Sequence, residues 1–128
     1  MPSWQEYRET ARSRGALALE LYVVLSVKSG PEADIPAILP AHLAYQAEQE
    51  AAGRLAFAGP LSDETGTQNS GDGLIVYRAA SLEEARALAE ADPMHSSGTR
   101  RFTIRRWLIN EGSLTLTVGL SGKRVMLS

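Results

Sequence analysis

The order of strand-like and helix-like segments limits the folds open to this 128-residue chain more than any other feature. Apolar residues alternate over residues 19–27, and shorter strand-forming runs occupy residues 54–58, 73–79 and 101–109. Two segments of helical periodicity separate these runs, one ending at Gly53 and one covering residues 81–91. This β-α-β-β-α-β order predicts an α+β fold in which both helices cover one face of a four-stranded antiparallel sheet.

The first of these helices contains a proline that affects where it begins. Either Pro36 or Pro40 could lie in the first turn, where a proline's missing N–H costs nothing. We favour a start near Pro40, because a proline deeper inside would kink the helix. This start places His42 in the first turn, where the positive end of the helix dipole disfavours the imidazolium form. Leu39, Leu43 and Ala47 share one face at helical spacing and are predicted to form a buried stripe.

Two further segments flank the predicted core of residues 19–109. Residues 1–16 are predicted to form an amphipathic helix, and residues 113–127 a β-hairpin. Together with the core they are interpreted as one domain covering residues 1–128. The sheet face opposite the helices also carries apolar residues, so a second copy of the chain is expected to cover it in a homodimer.

Composition excludes several classes of function. The net charge of −2 and the few aromatic residues argue against a nucleic-acid partner. The chain has no cysteine, which excludes disulfides and thiolate chemistry and fits a cytoplasmic location. No apolar run approaches the ~20 residues of a membrane helix, so no membrane association is expected. No glycine pattern matches a phosphate-binding loop before a helix, and no cofactor is predicted.

Five short motifs occur in a characteristic order and spacing. They are AHL at 41–43, GRL at 53–55, AGPL at 58–61, SLEEAR at 81–86 and AEADP at 89–93. In this combination the chain resembles the YciI-like (YCII-related) protein family over residues 19–109. The resemblance implies a ferredoxin-like fold that pairs into a dimeric α+β barrel, structurally akin to muconolactone isomerase.

The same resemblance implies a site. Members of the family carry a His-Asp pair proposed as the active site, and one described activity is dehydrochlorination of a chlorinated aromatic compound. By motif position the pair corresponds to His42 and Asp92 in this chain. The family's Asp-Pro pair is often followed by an aromatic residue, whereas this chain has Met94, which changes the expected pocket wall.

The chemistry of these residue types fits proton transfer. A neutral His42 can accept a proton, and Asp92 can orient the ring and stabilise its charged form. Two alternatives stay open, namely that His42 is a surface residue without a role and that Asp92 only makes a turn bond before Pro93. The expected substrate-binding residues are Tyr45, Gly59, Pro60, Met94, His95 and Arg101. Arg101 belongs to a cluster on the fourth strand, with Arg100, Arg105 and Arg106, of which one arginine is expected to bind a substrate carboxylate. The alternative is that the cluster is only a solvated or dimer-edge charge pattern.

The leading hypothesis is an enzyme of lyase or isomerase type, dehydrohalogenase-like or muconolactone isomerase-like, acting on a small acid, with aromatic acids among the candidates. A non-catalytic module that binds a small molecule, or mediates dimeric interaction, is the alternative. A metal site formed by His42, Asp92 and His95 is a weaker third idea, and no metal is predicted.

Overall fold

The computed structural model describes residues 1–32 and 34–128, and these form two compact units. The larger unit is Glu20–Trp107, and the smaller joins Met1–Leu19 to Leu108–Ser128. The helices are α1 Trp4–Ser13, α2 Asp34–Ala51, α3 Leu82–Ala91 and the single turn α4 Pro93–Ser96. The strands are β1 Leu19–Lys28, β2 Leu55–Ser62, β3 Asn69–Tyr77, β4 Arg100–Ile109, β5 Leu116–Gly119 and β6 Arg124–Leu127.

The four long strands form one sheet in the order β2-β3-β1-β4. Strand β3 pairs antiparallel with β1 on one side and with β2 on the other, and Ile75 lies opposite both Val24 and Ala58. The strands and helices follow the β-α-β-β-α-β order along the chain, with α4 inserted after α3. The predicted α+β class, with its antiparallel sheet, N-terminal helix and C-terminal hairpin, is confirmed.

The core of the larger unit lies between the sheet and the helices. Its buried members come from alternate positions of the strands and from one face of α3, because successive strand side chains point to opposite faces. They are Tyr22, Val24, Ile75, Tyr77, Ala85, Ala89 and Ile104. Burial of these apolar groups supplies the main driving force for closing the helices over the sheet.

The other face of the sheet keeps apolar side chains exposed. Leu25 lies opposite Leu74, and Phe57 lies opposite Val76, so all four belong to this face. Phe57 is 48% exposed and Trp107, which alternation places on the same side of β4, is 45% exposed.

Strand β2 is longer than the sequence predicted. The predicted strand ended at residue 58, just before Gly59-Pro60, but both of these residues lie within the observed strand, opposite Leu74 and Gly73. Proline lacks a backbone N–H and is tolerated on edge strands, where one side of the ladder has no partner. Because β2 is an edge strand of this sheet, Pro60 can lie opposite Gly73, and the register of the pairing shifts only beyond it, between Pro60 and Ser62.

Helix α2 differs most from its prediction. It begins at Asp34 and contains Pro40 in its interior, so the expected start near Pro40 was wrong. Leu39 and Leu43 are 39% and 53% exposed, and the predicted buried stripe is therefore also wrong. With the earlier start, His42 lies in the middle of the helix, and the helix-dipole argument made for its first turn does not apply.

The smaller unit has its own small cluster. Ser3 caps α1 by accepting a hydrogen bond from the backbone N–H of Glu6, whose side chain accepts from Ser3 in return. Ala11, Ala18 and Leu108 are buried together in this unit, next to Trp4 and Ala16. Strands β5 and β6 form the antiparallel hairpin predicted for residues 113–127. Among the described residues, no helix is long and apolar enough to cross a membrane.

Candidate functional site

The least exposed side of α2 is polar. Ile38, His42, Tyr45 and Gln49 recur at helical spacing and are less exposed than most of their neighbours in the helix. The Tyr45 hydroxyl donates to the carbonyl of Leu88 at 2.6 Å. The Gln49 side-chain oxygen accepts from Nε of Arg54 at 2.6 Å. Partnered polar groups can be buried without a large desolvation cost, so α2 packs through hydrogen bonds in place of the expected leucine stripe.

The third polar residue on the least exposed side of α2, His42, contacts Asp92. Its Nδ1 lies 2.8 Å from Oδ1 and 2.9 Å from Oδ2 of the carboxylate. The His42 side chain is 16% exposed, whereas that of Asp92 is 0% exposed. The fold thus joins two residues that are 50 positions apart, and it leaves the imidazole as the member of the pair that solvent or a ligand can reach.

Asp92 is held by the junction of α3 and α4. It is the last residue before Pro93 and serves as the N-cap of α4, where its Oδ1 accepts from the backbone N–H of Met94 at 2.9 Å. Proline is favoured in the first helical turn because its missing N–H has no partner there anyway. Asp92 therefore makes the local turn bond and contacts His42 at the same time, so these two interpretations of the sequence do not exclude each other.

The contact fixes how His42 can behave chemically. An ionised carboxylate only accepts hydrogen bonds, so Nδ1 of His42 carries the proton that it donates to Asp92. In the neutral ring the lone pair is then on Nε2, which has no hydrogen-bond partner among residues 1–32 and 34–128. An imidazole with a free Nε2 and a carboxylate behind it can accept a proton and hold the resulting charge.

His42 lines a cavity of about 540 Å³ in the larger unit. Leu39, Leu43 and Gln46 of α2 form one wall, and residues of β1, β2, β3, α4 and β4 form the others. The lining includes Ser26, Lys28, Gly59, Pro60, Ser70, Gly71, Asp72, Leu74, Ile75, Met94 and Arg100. This volume falls within the range usual for small-molecule sites.

A second hydrogen-bonded group lies beside the cavity and is built around Ser26. Nδ1 of His95 donates to the carbonyl of Ala89 at 2.7 Å, because a carbonyl oxygen can only accept. In the neutral ring, Nε2 then accepts from the hydroxyl of Ser26 at 2.8 Å. Nε of Arg100 donates to the same Ser26 oxygen at 2.9 Å. Arg100 therefore donates to the Ser26 hydroxyl, and the Ser26 hydroxyl donates to His95, so the donor of each hydrogen bond is defined.

Burial keeps the imidazole of His95 in this neutral form. Desolvation lowers the pKa of His95 from its ordinary value of 6.5, and electrostatic interaction with His42 and Arg100 acts in the same direction. The Ala89 carbonyl and Asp92 oppose the shift without reversing it. Burial, followed by the charge of Asp92, also raises the pKa values of the Tyr45 and Tyr77 hydroxyls. Both tyrosines stay protonated near neutral pH.

The weaker idea of a metal site finds no support in this geometry. Both ring nitrogens of His95 have protein partners, Ser26 on one side and Ala89 on the other. Within the described part of the chain, no three side chains of His, Asp or Glu are grouped so that they could hold a metal ion.

The structure sorts the substrate-binding residues predicted from sequence into three groups. Gly59, Pro60 and Met94 line the cavity. His95 lies behind its wall and contacts it through Ser26. Tyr45 and Arg101 do not line it, because the Tyr45 hydroxyl is engaged by Leu88 and alternation along β4 places Arg101 on the other face of the sheet.

Sequence reasoning missed Arg100 and Ser26 as lining residues, although a signal for both was present. Ser26 follows Tyr22 and Val24 at alternate positions, so it is a polar residue on the core side of β1. Arg100 precedes Phe102 and Ile104 in the same way on β4. A polar residue in phase with a buried strand face indicates a site more strongly than an exposed arginine cluster does.

The fold and the site together define a class: a ferredoxin-like α+β protein with a histidine–carboxylate contact at a small-molecule-sized cavity. The model of the YCII-related domain family matches residues 21–108, which include the whole cavity. This chain belongs to the YCII-related domain family.

Two individual proteins are similar to this chain. Protein YjpA of Bacillus subtilis, itself uncharacterised, is 37% identical over 70 residues, which are 55% of this chain and 75% of YjpA. A solved structure of 5-chloro-2-hydroxyhydroquinone dehydrochlorinase (TftG) from Burkholderia phenoliruptrix, in complex with 2,5-dihydroxybenzoquinone, has the same fold. Its TM-score is 0.53 at 25% sequence identity, and the match covers 67% of this chain and 92% of TftG.

Proposed function

We propose that this protein is a small-molecule enzyme of lyase or isomerase type, in which His42 transfers a proton at a ligand bound in the cavity. The observation that carries the proposal is the 2.8 Å contact between Nδ1 of His42 and Asp92, made by a histidine that lines the cavity. The similarity to a dehydrochlorinase that binds a quinone supports an aromatic or quinonoid substrate.

The proton balance of such a step is simple. In an elimination, Nε2 of His42 takes a proton from a C–H or O–H group of the substrate, the electron pair left behind forms a new double bond, and the halide leaves with its bonding electrons. In an isomerisation the same nitrogen returns the proton at another carbon. Asp92 acts as a positioning residue in both cases, because it holds the ring tautomer and stabilises the imidazolium.

The test compares turnover by the natural protein and by matched variants. Chloride release from 5-chloro-2-hydroxyhydroquinone and related chlorinated dihydroxybenzenes is measured with and without protein. His42→Asn is expected to lower turnover by about 10²- to 10⁴-fold, the range that a general base contributes. Asp92→Asn is expected to lower turnover by a similar factor, because its amide can donate to Nδ1 of His42 and so place the proton on Nε2. The variant should fold normally, because asparagine caps a helix as well as aspartate does.

Glu90→Gln provides the matched control. It replaces an exposed carboxylate near the end of α3 with its amide and should leave turnover unchanged. Turnover by His42→Asn at the natural rate would contradict the proposal. Binding of 2,5-dihydroxybenzoquinone without any turnover of the panel would instead favour the non-catalytic binding module.

We also propose that two copies of the chain pair through the open face of the sheet. Phe57, Leu25 and Trp107 are exposed there together, and side chains of this size on one sheet face are normally covered in a folded protein. A second copy is the simplest cover, because a two-fold symmetric contact buries the same patch of both partners. Light scattering should give twice the mass of one chain, whereas a single-chain mass at micromolar concentration would refute the pairing.

A further inference from the structure

Arg100 has an unusual combination of partners for a guanidinium that lines a cavity. Its Nε donates to the hydroxyl of Ser26, and its Nη2 donates to the carbonyls of Ser26 and Gly71 at 2.8 Å and 2.6 Å. All three bonds go to neutral oxygens. In the described part of the chain Arg100 makes no ion pair, and its Nη1 has no hydrogen-bond partner. A partly buried positive charge without a counter-ion is costly unless something negative neutralises it.

These bonds also fix the side chain in place. Arg100 reaches from β4 across β1 to the start of β3, where Gly71 has a φ of +87°, a backbone conformation that glycine adopts at no steric cost. A Cβ at this position would lie 3.0 Å from Cε of Lys28. A guanidinium held at three points loses little side-chain entropy when it binds a further group, which is a property of anchoring arginines.

The other charges of the cavity wall leave room for an anion. Lys28 and Glu32 pair with each other at 3.3 Å and offset each other's charge. Asp72 also lines the cavity and weakens the positive field without pairing with Arg100. The carboxylate of Asp92 is already engaged by His42 and by the backbone of Met94.

We propose that Arg100 is the anion-binding residue of the cavity, and that it selects small aromatic ligands that carry a carboxylate or an ionised phenol or enol oxygen. The inference rests on the proposed use of this cavity as the ligand site, and it goes further by stating that the ligand carries a negative charge. It also replaces Arg101 with Arg100 as the arginine that contacts the ligand. Ser26 positions the guanidinium through two of its three hydrogen bonds.

The test uses a pair of probes of nearly the same shape, one negatively charged and one neutral. Binding of 4-hydroxybenzoate and of its neutral analogue 4-hydroxybenzamide to the full chain is measured by NMR titration at low ionic strength. The natural protein is expected to bind the carboxylate about tenfold more tightly or better, as for a charge-assisted hydrogen bond in a partly buried site. Arg100→Gln is expected to remove this preference, and Arg100→Lys to keep part of it.

Two further variants separate a binding role from a structural one. Asp72→Asn removes the opposing charge and should increase the preference for the carboxylate. If Arg100 were merely structural, Arg100→Gln would weaken the binding of both probes equally, because the loss would not depend on the charge of the probe. His42→Asn should lower turnover but keep the preference for the carboxylate. The proposed chemistry and the proposed anion site can therefore be refuted separately. Equal binding of the two probes by the natural protein, binding of neither, or an unchanged preference in Arg100→Gln would each overturn the inference.

Discussion

At the scale of single residues, the molecule places polar side chains at positions where a helix usually presents apolar ones. His42, Tyr45 and Gln49 lie on the least exposed side of α2, and each bonds to a group outside the helix. Asp92 is 0% exposed and accepts hydrogen bonds from a ring and from the backbone. A buried carboxylate is tolerated only with such partners. The same requirement that stabilises the packing therefore assembles the candidate catalytic contact.

The buried imidazole of His95 gives a prediction about pH. Its pKa is lowered in the folded protein, chiefly by desolvation, so the unfolded chain takes up this proton at a higher pH than the folded chain does. Stability should therefore rise with pH through the range just below the ordinary value of 6.5, and it should be lost as the pH falls through that range. At neutral pH the histidine is uncharged in both states and the effect vanishes.

The measurement is chemical denaturation of the natural protein and of His95→Gln at about pH 7.5 and about pH 5.5. The natural protein should lose more stability on acidification than the variant does. His42 is present in both proteins, so its contribution cancels in the comparison. Equal losses in the two proteins would show that His95 does not titrate differently on folding.

At the scale of elements, α2 combines helix geometry with a residue that opposes it. Pro40 lies inside the helix and has no N–H to donate to the carbonyl of Pro36, one turn earlier. The helix nevertheless extends from Asp34 to Ala51, because contacts of its buried side with the rest of the unit override the local preference. The early start has a functional consequence, since it adds the turn from which Ile35 and Leu39 line the cavity.

The proline gives a prediction about stability. Pro40 is exposed, so Pro40→Ala restores a backbone hydrogen bond without removing a buried contact. The free energy of unfolding is expected to rise by about 1 to 3 kcal/mol, the range between helix-interior proline and alanine. Urea denaturation monitored by circular dichroism measures the change.

Pro36→Ala is the matched control. Pro36 lies in the first turn of α2, where a backbone N–H has no partner within the helix, so its replacement should change stability little. A similar gain from both variants, or a loss from Pro40→Ala, would mean that the missing hydrogen bond is not what limits the stability of α2.

At the scale of the whole molecule, the larger unit Glu20–Trp107 contains the complete cavity and nearly all of the family match. One face of its sheet is covered by helices, and the other presents Phe57, Leu25 and Trp107. The helix-covered face holds the candidate site. The exposed face is the surface through which we propose that two chains associate.

The proposed pairing gives a prediction about concentration. If two chains associate, the dimer dissociates when its chains unfold. The midpoint of thermal unfolding should then rise with protein concentration by mass action. Phe57→Lys places a charge in the middle of the apolar face and should yield a single-chain species whose midpoint no longer depends on concentration. Glu83→Lys, an exposed change on α3, is the control and should behave like the natural protein. A concentration-independent midpoint for the natural protein would count against association.

The sequence by itself determined the fold class, because alternating and helical periodicities record which faces are buried. It also supplied the motifs that carry the family resemblance, and its periodicities located α3, β1 and β4 to within a few residues, whereas the second half of β2 and the start of β3 were not predicted. The start of α2, the passage of β2 through Pro60 and the identity of Arg100 as the lining arginine were decided by tertiary structure. Each depends on partners distant along the chain: the groups packed against α2, the single neighbour of an edge strand, and the carbonyls of Ser26 and Gly71. Local sequence preferences contain no information about such partners, and the 2.8 Å approach of His42 to Asp92 arises only when the chain is folded.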